Sequence, residues 1–191
     1  MTSVAISPDG TWLASASYDG TARLWNPDGT QLATLDHTGS VLSVAISPDS
    51  TWLATTSHDR TVRLWNPDGT QLATLDHTGS VLSVAISPDS TWLATTSRDR
   101  TVRLWNPDGT QLATLTGHTD RVTSVAISPD STWLATTSHD RTVRLWETAT
   151  QEHVTALKLD SELRDLKWFP SGNALAVGGS SGLYLLDLRT E

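Results

Sequence analysis

Short runs that alternate between apolar and polar positions fill the chain, and punctuation separates them at close intervals. VLSVAIS, TWLATTS, TVRLW and QLATL are typical runs, and PDS, S-x-D and NPDG are the breaks between them. The runs are rich in Val, Ile, Thr and Trp, and every break carries Pro, Gly, Asp or Ser, so the pattern predicts strands joined by tight turns. A helical repeat would need paired amphipathic runs of about ten or more residues without Pro. No such pair occurs.

The runs recur in a fixed order, here named strands a, b, c and d. SVAISPD begins at Ser3, Ser43, Ser83 and Ser124, so the unit repeats after 40, 40 and 41 residues. A degenerate fifth unit, LRDLKWFPSG, sets Leu166 and Pro170 where Val125 and Pro129 stand. Periods of about 40–45 residues belong to propeller blades or to long helical repeats, and an all-strand unit selects the blade. The expectation is one all-β domain of five blades, spanning 1–35, 36–75, 76–115, 116–159 and 160–191. The fifth blade is expected to hold three strands, at 162–169, 173–177 and 183–188, and to lack the outer one. Met1 stands where Val41, Val81 and Val122 stand, inside a unit.

The stretch SPDSTWLATTSHDRTVRLWN, preceded in the fourth unit by TGHTDRV, resembles the WD40-repeat β-propellers. The resemblance is strong over 1–146 and weaker over 147–191. It implies a hydrogen-bonded tetrad of His, Ser, Asp and Trp in each blade. Carried over residue by residue, the sets are His37, Ser57, Asp59 and Trp65, then His77, Ser97, Asp99 and Trp105, then His118, Ser138, Asp140 and Trp146. The family's Trp-Asp dipeptide is Trp-Asn at Trp25, Trp65 and Trp105, and Trp-Glu at Trp146. Asp36-His37 and Asp76-His77 replace Gly-His with one residue fewer. A tetrad is also sound chemistry: a buried imidazole needs partners for both nitrogens, and a carboxylate with a hydroxyl supplies them. A His, Asp and Ser set repeated in three blades reads as scaffold rather than as a catalytic triad.

Antiparallel order sends the a–b and c–d turns to one rim, and the d–a and b–c connections to the other. The first rim carries Asp9, Asp28, Asp49, Asp68, Asp89, Asp108 and Asp130 and is expected to be acidic. The second carries Arg60, Arg98, Arg100, Arg121 and Arg141 with several His, mixed with acids. Residues 41–75 and 81–115 are identical except for His58 against Arg98, and Tyr18 and His139 hold the same place in the first and fourth units. This is the middle of the b–c turn. The resemblance implies a face that docks partner peptides, so Tyr18, His58, Arg98, His139, Arg60, Arg100, Arg121 and Arg141 form the candidate partner-binding face. Drift at an unconstrained turn is the equal alternative.

Composition narrows the function further. The chain has 191 residues, a formal charge of −8, no Cys, and nine Trp against two Tyr and one Phe. Zero Cys excludes disulfides and thiolate metal sites. An acidic chain without basic clusters argues against nucleic acid or anionic membrane as partner. MTSVAISPDG lacks a basic and apolar leader, and a cytoplasmic location is expected. One carboxylate in each NPDGT turn is too few for calcium, and no metal or cofactor is expected. Gly178 to Gly182 precedes no helix pattern and is no phosphate cradle. Trp12, Trp52, Trp92 and Trp133 are expected to pack between blades. The innermost strands offer only Ser, Val, Ala and Ile, which disfavours a hydrolase in the channel. A five-blade arc would expose apolar end faces, expected to hold Val4, Ile6, Leu13 and Leu24 at one end and Leu166, Trp168, Leu175 and Leu185 at the other. The expected function is a non-enzymatic scaffold for protein or peptide that self-associates, with a dimer favoured. The alternative is a self-assembly module, or an engineered or truncated array, with no ligand.

Overall fold

The computed structural model describes residues 1–188; positions 189–191 of the fifth unit lie outside the described residues. Every regular element is a strand. Blade 1 holds β1 (Ser3–Ile6), β2 (Leu13–Ala16), β3 (Thr21–Trp25) and β4 (Gln31–Asp36). Blade 2 holds β5 (Val41–Ile46), β6 (Leu53–Ser57), β7 (Thr61–Trp65) and β8 (Gln71–Asp76). Blade 3 holds β9 (Val81–Ile86), β10 (Leu93–Ser97), β11 (Val102–Trp105) and β12 (Gln111–Leu115). Blade 4 holds β13 (Val122–Ile127), β14 (Trp133–Ser138), β15 (Thr142–Glu147) and β16 (His153–Lys158). Blade 5 holds β17 (Leu163–Trp168), β18 (Ala174–Gly179) and β19 (Gly182–Asp187). Each is an antiparallel meander, four strands in blades 1 to 4 and three in blade 5. Asp36 and Asp76 close the outer strands of blades 1 and 2, where the repeat arithmetic opens the next unit with them.

Turn chemistry explains where the strands stop. In blade 1 the Ser7 hydroxyl donates to Asp9 Oδ1 at 2.7 Å, and the same oxygen accepts from Thr11 N at 3.0 Å. The next residue takes positive φ: Gly10 at 72° in blade 1, but Ser50 at 62° and Ser90 at 63° in blades 2 and 3. In blades 2 and 3 the serine hydroxyl gains a partner at this strained position, while Ser131 of blade 4, at φ 62°, accepts from Thr148 Oγ1 through its carbonyl. Ser50 Oγ accepts from Asp9 N at 3.3 Å, and Ser90 Oγ from Asp49 N at 3.1 Å, so each serine ties its blade to the preceding one.

Packing between blades follows strand alternation. Ala14, Ala16, Leu24 and Leu35 of blade 1 meet Val44, Leu53 and Trp65 of blade 2 in one buried cluster. Two further clusters repeat this arrangement between blades 2 and 3 and between blades 3 and 4. Trp12 and Trp52 are buried in these clusters, and Trp92 and Trp133 are packed against the clusters that follow. Between blades 4 and 5, Leu163, Leu166, Leu175 and Val177 take the receiving role, and Trp168 Nε1 donates to the Ala126 carbonyl at 3.1 Å.

The innermost strands surround a channel of about 530 Å³. β1 and β17 both border it, yet they do not pack on each other as β1 with β5, or β13 with β17, do. The end faces differ from the sequence expectation in membership. Leu24 is turned into blade 2, and Leu166, Trp168 and Leu175 into blade 4. Side chains alternate along a strand, so only one parity reaches each free face. Val4, Ile6, Leu13 and Trp25 share the face at one end; Ala176, Gly178, Leu183 and Leu185 share it at the other.

Gly29 and Gly69 occupy the same c–d turn position at φ 90° and 88°. A Cβ on Gly69 would lie 2.9 Å from Ala33 Cβ of blade 1, whereas one on Gly29 meets nothing within 4 Å. Both Gly→Ala changes carry the backbone strain of about 1 kcal/mol. Gly69→Ala is expected to cost about 1–3 kcal/mol more through overpacking. Urea melts of the two variants measure the difference, and equal losses would show that blade 2 does not press on blade 1 there.

Candidate functional site

Three equivalent polar networks are buried between strands b and c, one each in blades 2, 3 and 4. In blade 2, His37 Nδ1 donates to Asp59 Oδ2 at 2.9 Å, and His37 Nε2 accepts from the Thr55 hydroxyl at 2.7 Å. Trp65 Nε1 then donates to the same Thr55 oxygen at 2.9 Å. Blade 3 repeats the set with His77, Asp99, Thr95 and Trp105, and blade 4 with His118, Asp140, Thr136 and Trp146. Blade 1 keeps the indole part alone, from Trp25 Nε1 to Ser15 Oγ at 2.9 Å.

The hydroxyl is therefore not the serine expected from the sequence. Ser57, Ser97 and Ser138 lie two residues further along the strand and bind the b–c turn. Ser57 Oγ donates to the Gly39 carbonyl at 2.9 Å and accepts from Asp59 N at 3.1 Å. Ser97 and Ser138 do the same with Gly79 and Asp99, and with Asp120 and Asp140. The physical reason is register. Leu53 is the cross-strand partner of Trp65, so the indole crosses diagonally to position 55, the next residue on that face, and stops short of 57.

The one-residue deletion ahead of His37 and His77 leaves the network intact. The outer strand runs one residue further, and the Asp36 and Asp76 carbonyls accept from Arg63 and Arg103 Nη1 at 2.9 and 2.8 Å. In blade 4 the additional residue is absorbed at Gly117, whose φ is 142° and whose Cβ would fall 2.6 Å from Arg144 Nη1.

Electrostatics fix the protonation state. Burial pushes the His37, His77 and His118 imidazoles below their ordinary value of 6.5, against the opposing pull of Asp59, Asp99 and Asp140. Burial would raise the three carboxyls, but hydrogen bonds outweigh it. Thr61 and His37 bring Asp59 down to about 2, and Thr142, Thr119 and His118 bring Asp140 to about 2. Asp99 is also held well below the usual range, with His77 and Thr101 as donors. A neutral imidazole with its proton on Nδ1, facing an ionised carboxylate and locked by a threonine, has no opening to a substrate. The set is a structural clamp.

The rims differ in what is already engaged. Asp9, Asp28, Asp49, Asp68, Asp89, Asp108 and Asp130 are all exposed on one rim, and each carboxyl is lowered by donors of its own turn, Ser7 and Thr11 for Asp9 and Thr30 for Asp28. On the opposite rim Tyr18, His58, Arg98, Arg60, Arg100 and Arg141 are exposed, and Arg121 and His139 half-buried. Arg60, Arg100 and Arg141 sit at φ 73°, 72° and 70°, where blade 1 has Gly20 at 89°. His139 is bracketed by Arg121, with Nη2 at 2.9 Å from Nδ1, and by Glu162, with Oε2 at 3.1 Å. Asp160 and Ser161 meet the Tyr184 hydroxyl beside this group.

The channel is more polar than the SVAIS strands suggest, because blade 5 contributes Asp165 and Lys167. Ser124 Oγ donates to Asp165 Oδ1 at 2.7 Å. The degenerate unit breaks the repeat at these positions, and that departure was the available signal. Among the described residues no group of three or more His, Asp or Glu is placed to hold a metal ion. No helix is long and apolar enough to cross a membrane.

Removing the Trp65 ring by Trp65→Ala is expected to cost about 3–5 kcal/mol. The clamp assignment has a sharper check in double-mutant cycles. Trp65→Phe combined with Thr55→Val should couple by about 0.5–3 kcal/mol, and Trp65→Phe combined with Ser57→Ala should be additive. The reverse pattern would restore the serine to the network.

Acid should weaken the fold in two steps. A histidine lowered in the folded state is protonated first in the unfolded chain, so its contribution is lost as pH falls through about 6.5. The lowered carboxyls add stability that is lost as pH falls from 3.8 toward about 2. Urea midpoints between pH 8 and pH 3 read both steps. A midpoint that rises from pH 7 to pH 5 would mean that the buried imidazoles are protonated in the fold.

Comparison with curated proteins finds no match. The family model described as the IFT122 first beta-propeller matches residues 1–187, nearly the whole chain. Repeated four-stranded antiparallel blades, carrying indole and imidazole clamps between strands b and c, agree with that match. The chain belongs to this family of WD40-repeat β-propellers.

Proposed function

We propose that the chain is a non-enzymatic scaffold whose b–c and d–a rim binds a protein or peptide. The observation that carries this reading is the single difference between residues 41–75 and 81–115, His58 against Arg98, on the exposed tip of the b–c turn. Everything that builds the blade is held constant, and the solvent-facing side chain alone changes. The arginines beside it support the same reading. Arg60, Arg100 and Arg141 are kept at positive φ, a conformation that costs a non-glycine residue on the order of 1–2 kcal/mol. Their guanidinium groups and the aromatic Tyr18 are the side chains a peptide rich in acidic and apolar residues would meet. The Asp165–Ser124 pair lacks a histidine base and gives a hydrolase no nucleophile. The reading places the scaffold in the cytoplasm, with no cofactor, metal, nucleic acid or membrane.

A second reading, self-association, is favoured by the exposed apolar side chains on the two end blades. Met1, Val4 and Ile6 stand out at one end, Leu183 and Leu185 at the other.

The rim is tested by selecting peptides from a displayed random library on the purified chain and measuring their binding by fluorescence anisotropy. Arg98→Glu is expected to weaken a selected peptide about tenfold, the scale of one lost contact of about 1.4 kcal/mol. Asp68→Lys on the opposite rim should leave binding unchanged. Selection of no peptide, or loss at Asp68 without loss at Arg98, would overturn the assignment of this face.

A further inference from the structure

The two end faces of the arc are the two halves of an interface that the chain already makes within itself. At each boundary between blades 1 to 4, one blade presents a small residue on strand b beside Leu on strand c. Ala14 pairs with Leu24, Ala54 with Leu64, and Ala94 with Leu104. The next blade receives them with Val and Ile of strand a, Leu of strand b and Trp of strand c, as Val44, Ile46, Leu53 and Trp65 do. These are unlike surfaces, one of alanine, leucine and the indole that precedes strand b (Trp12, Trp52), the other of branched side chains, leucine and the indole that ends strand c.

Blade 1 carries the receiving set with nothing in it. Val4, Ile6, Leu13 and Trp25 stand where Val44, Ile46, Leu53 and Trp65 stand. Val4 is 59% exposed and Ile6 70%, while Val44 is 6% exposed. A hollow of about 270 Å³ lies between Val4, Leu13, Trp25 and Gly29. It is the counterpart of the place where Gly69 closes on Ala33 and Leu35 of the preceding blade. Blade 5 carries the presenting set with nothing on it. Ala176 pairs with Leu185, repeating the small-and-leucine pair in register; Gly178 and Leu183 take the place of Thr137 and Val143, and Lys167 of strand a stands where Ala126 stands. Leu185 is 65% exposed and Leu183 69%.

We propose that copies of this chain associate head to tail, the outer face of blade 5 of one copy docking on the outer face of blade 1 of the next. This rests on the self-association reading above and adds its polarity. The occupant is a second copy because the receiving set of blade 1 repeats the one that closes each internal boundary, and the Ala176 and Leu185 pair of blade 5 repeats the Ala and Leu pair that such a set receives. Two blade 1 faces would set branched side chains and indoles against their own kind and leave both hollows unfilled. A heterologous contact of this sort leaves one face of each type open after the first association, so assembly grows until a ring closes. The contact is smaller than an internal boundary. Blade 5 has no outer strand among the described residues to supply what Ala33 and Leu35 supply, and Gly10 lacks the hydroxyl that Ser50 offers a preceding turn.

Light scattering on the full chain over a range of concentrations reads the association. Ile6→Asp spoils only the receiving face and Leu185→Asp only the presenting face; both residues are exposed, so cooperative melts should be retained. The unmodified chain is expected to exceed 20.6 kDa in a concentration-dependent way. Each variant alone should fall to the monomer mass. An equal mixture of the two should pair at twice that mass and grow no further, because pairing uses up the one intact face of each type. A monomeric unmodified chain at every concentration would overturn self-association itself. An unmodified chain that assembles, with either variant still assembling alone or with a mixture that fails to pair, would leave self-association standing and overturn the head-to-tail polarity.

Discussion

Every feature of this molecule depends on one constraint: a four-stranded blade is apolar on both faces and cannot bury either by itself. Burial comes only from a neighbour, and the neighbour's face must be of the other kind. Alanine and leucine on strands b and c leave a shallow surface, which valine, isoleucine and tryptophan of the next blade fill. Because the faces are unlike, stacking has a direction. Ser50 and Ser90, at positive φ in the a–b turns, follow the same direction, accepting from the turn of the preceding blade. Backbone strain at Ser50 and Ser90 is thus offset across a boundary rather than within a blade.

The buried clamps answer a different problem. An indole large enough to fill the wedge between blades brings one N–H into the interior, and burying it unpaired would cost about 1–3 kcal/mol. Threonine accepts that N–H and donates its own O–H to a histidine, which donates from Nδ1 to a carboxylate at the b–c turn. The carboxylate spends its remaining capacity on the turn itself, through Thr61 N and Oγ1 in blade 2. A chain of donors therefore runs from the packed wedge to the rim, and the loop geometry on the rim is set by packing inside. Blade 1 has the tryptophan and Ser15 but no histidine, and its b–c turn uses Asp19 for a surface pair with Arg23 instead.

Much of this was legible in the sequence, because the repeat prints the same physics several times over. Periodicity of two, turn residues at fixed offsets and a recurring unit led to the strands, the blade count and the missing outer strand of blade 5. Three things were not legible. Positions 55 and 57 are both hydroxyl-bearing, both on one face, and both present in every complete blade, so composition cannot choose between Thr55 and Ser57. Only the pairing of Leu53 with Trp65 decides it. A different ambiguity, of parity, put Leu24, Leu166, Trp168 and Leu175 on the free end faces, although each is turned into its neighbour. The Asp165 and Lys167 contribution to the channel was hidden for the opposite reason: it lies in the one unit that departs from the repeat.

Under the proposed function, the two rims divide the work of an acidic chain. Seven aspartates on the a–b and c–d side face solvent, but each is engaged by hydroxyl or amide donors of its own turn. Their charge is tied to holding the turns. On the other side the tetrad carboxylates are buried against imidazoles, and the carbonyls of Asp36 and Asp76 are taken by Arg63 and Arg103. The b–c turn backbones are satisfied from within, since the Gly20 and Arg60 carbonyls accept from His37 N and His77 N. The side chains of Arg60, Arg98 and Arg100 are not needed for any of this and project from turns whose shape is fixed without them. Charge that is unnecessary to the fold, carried on a framework that does not have to move to present it, is what the proposed function asks of this rim.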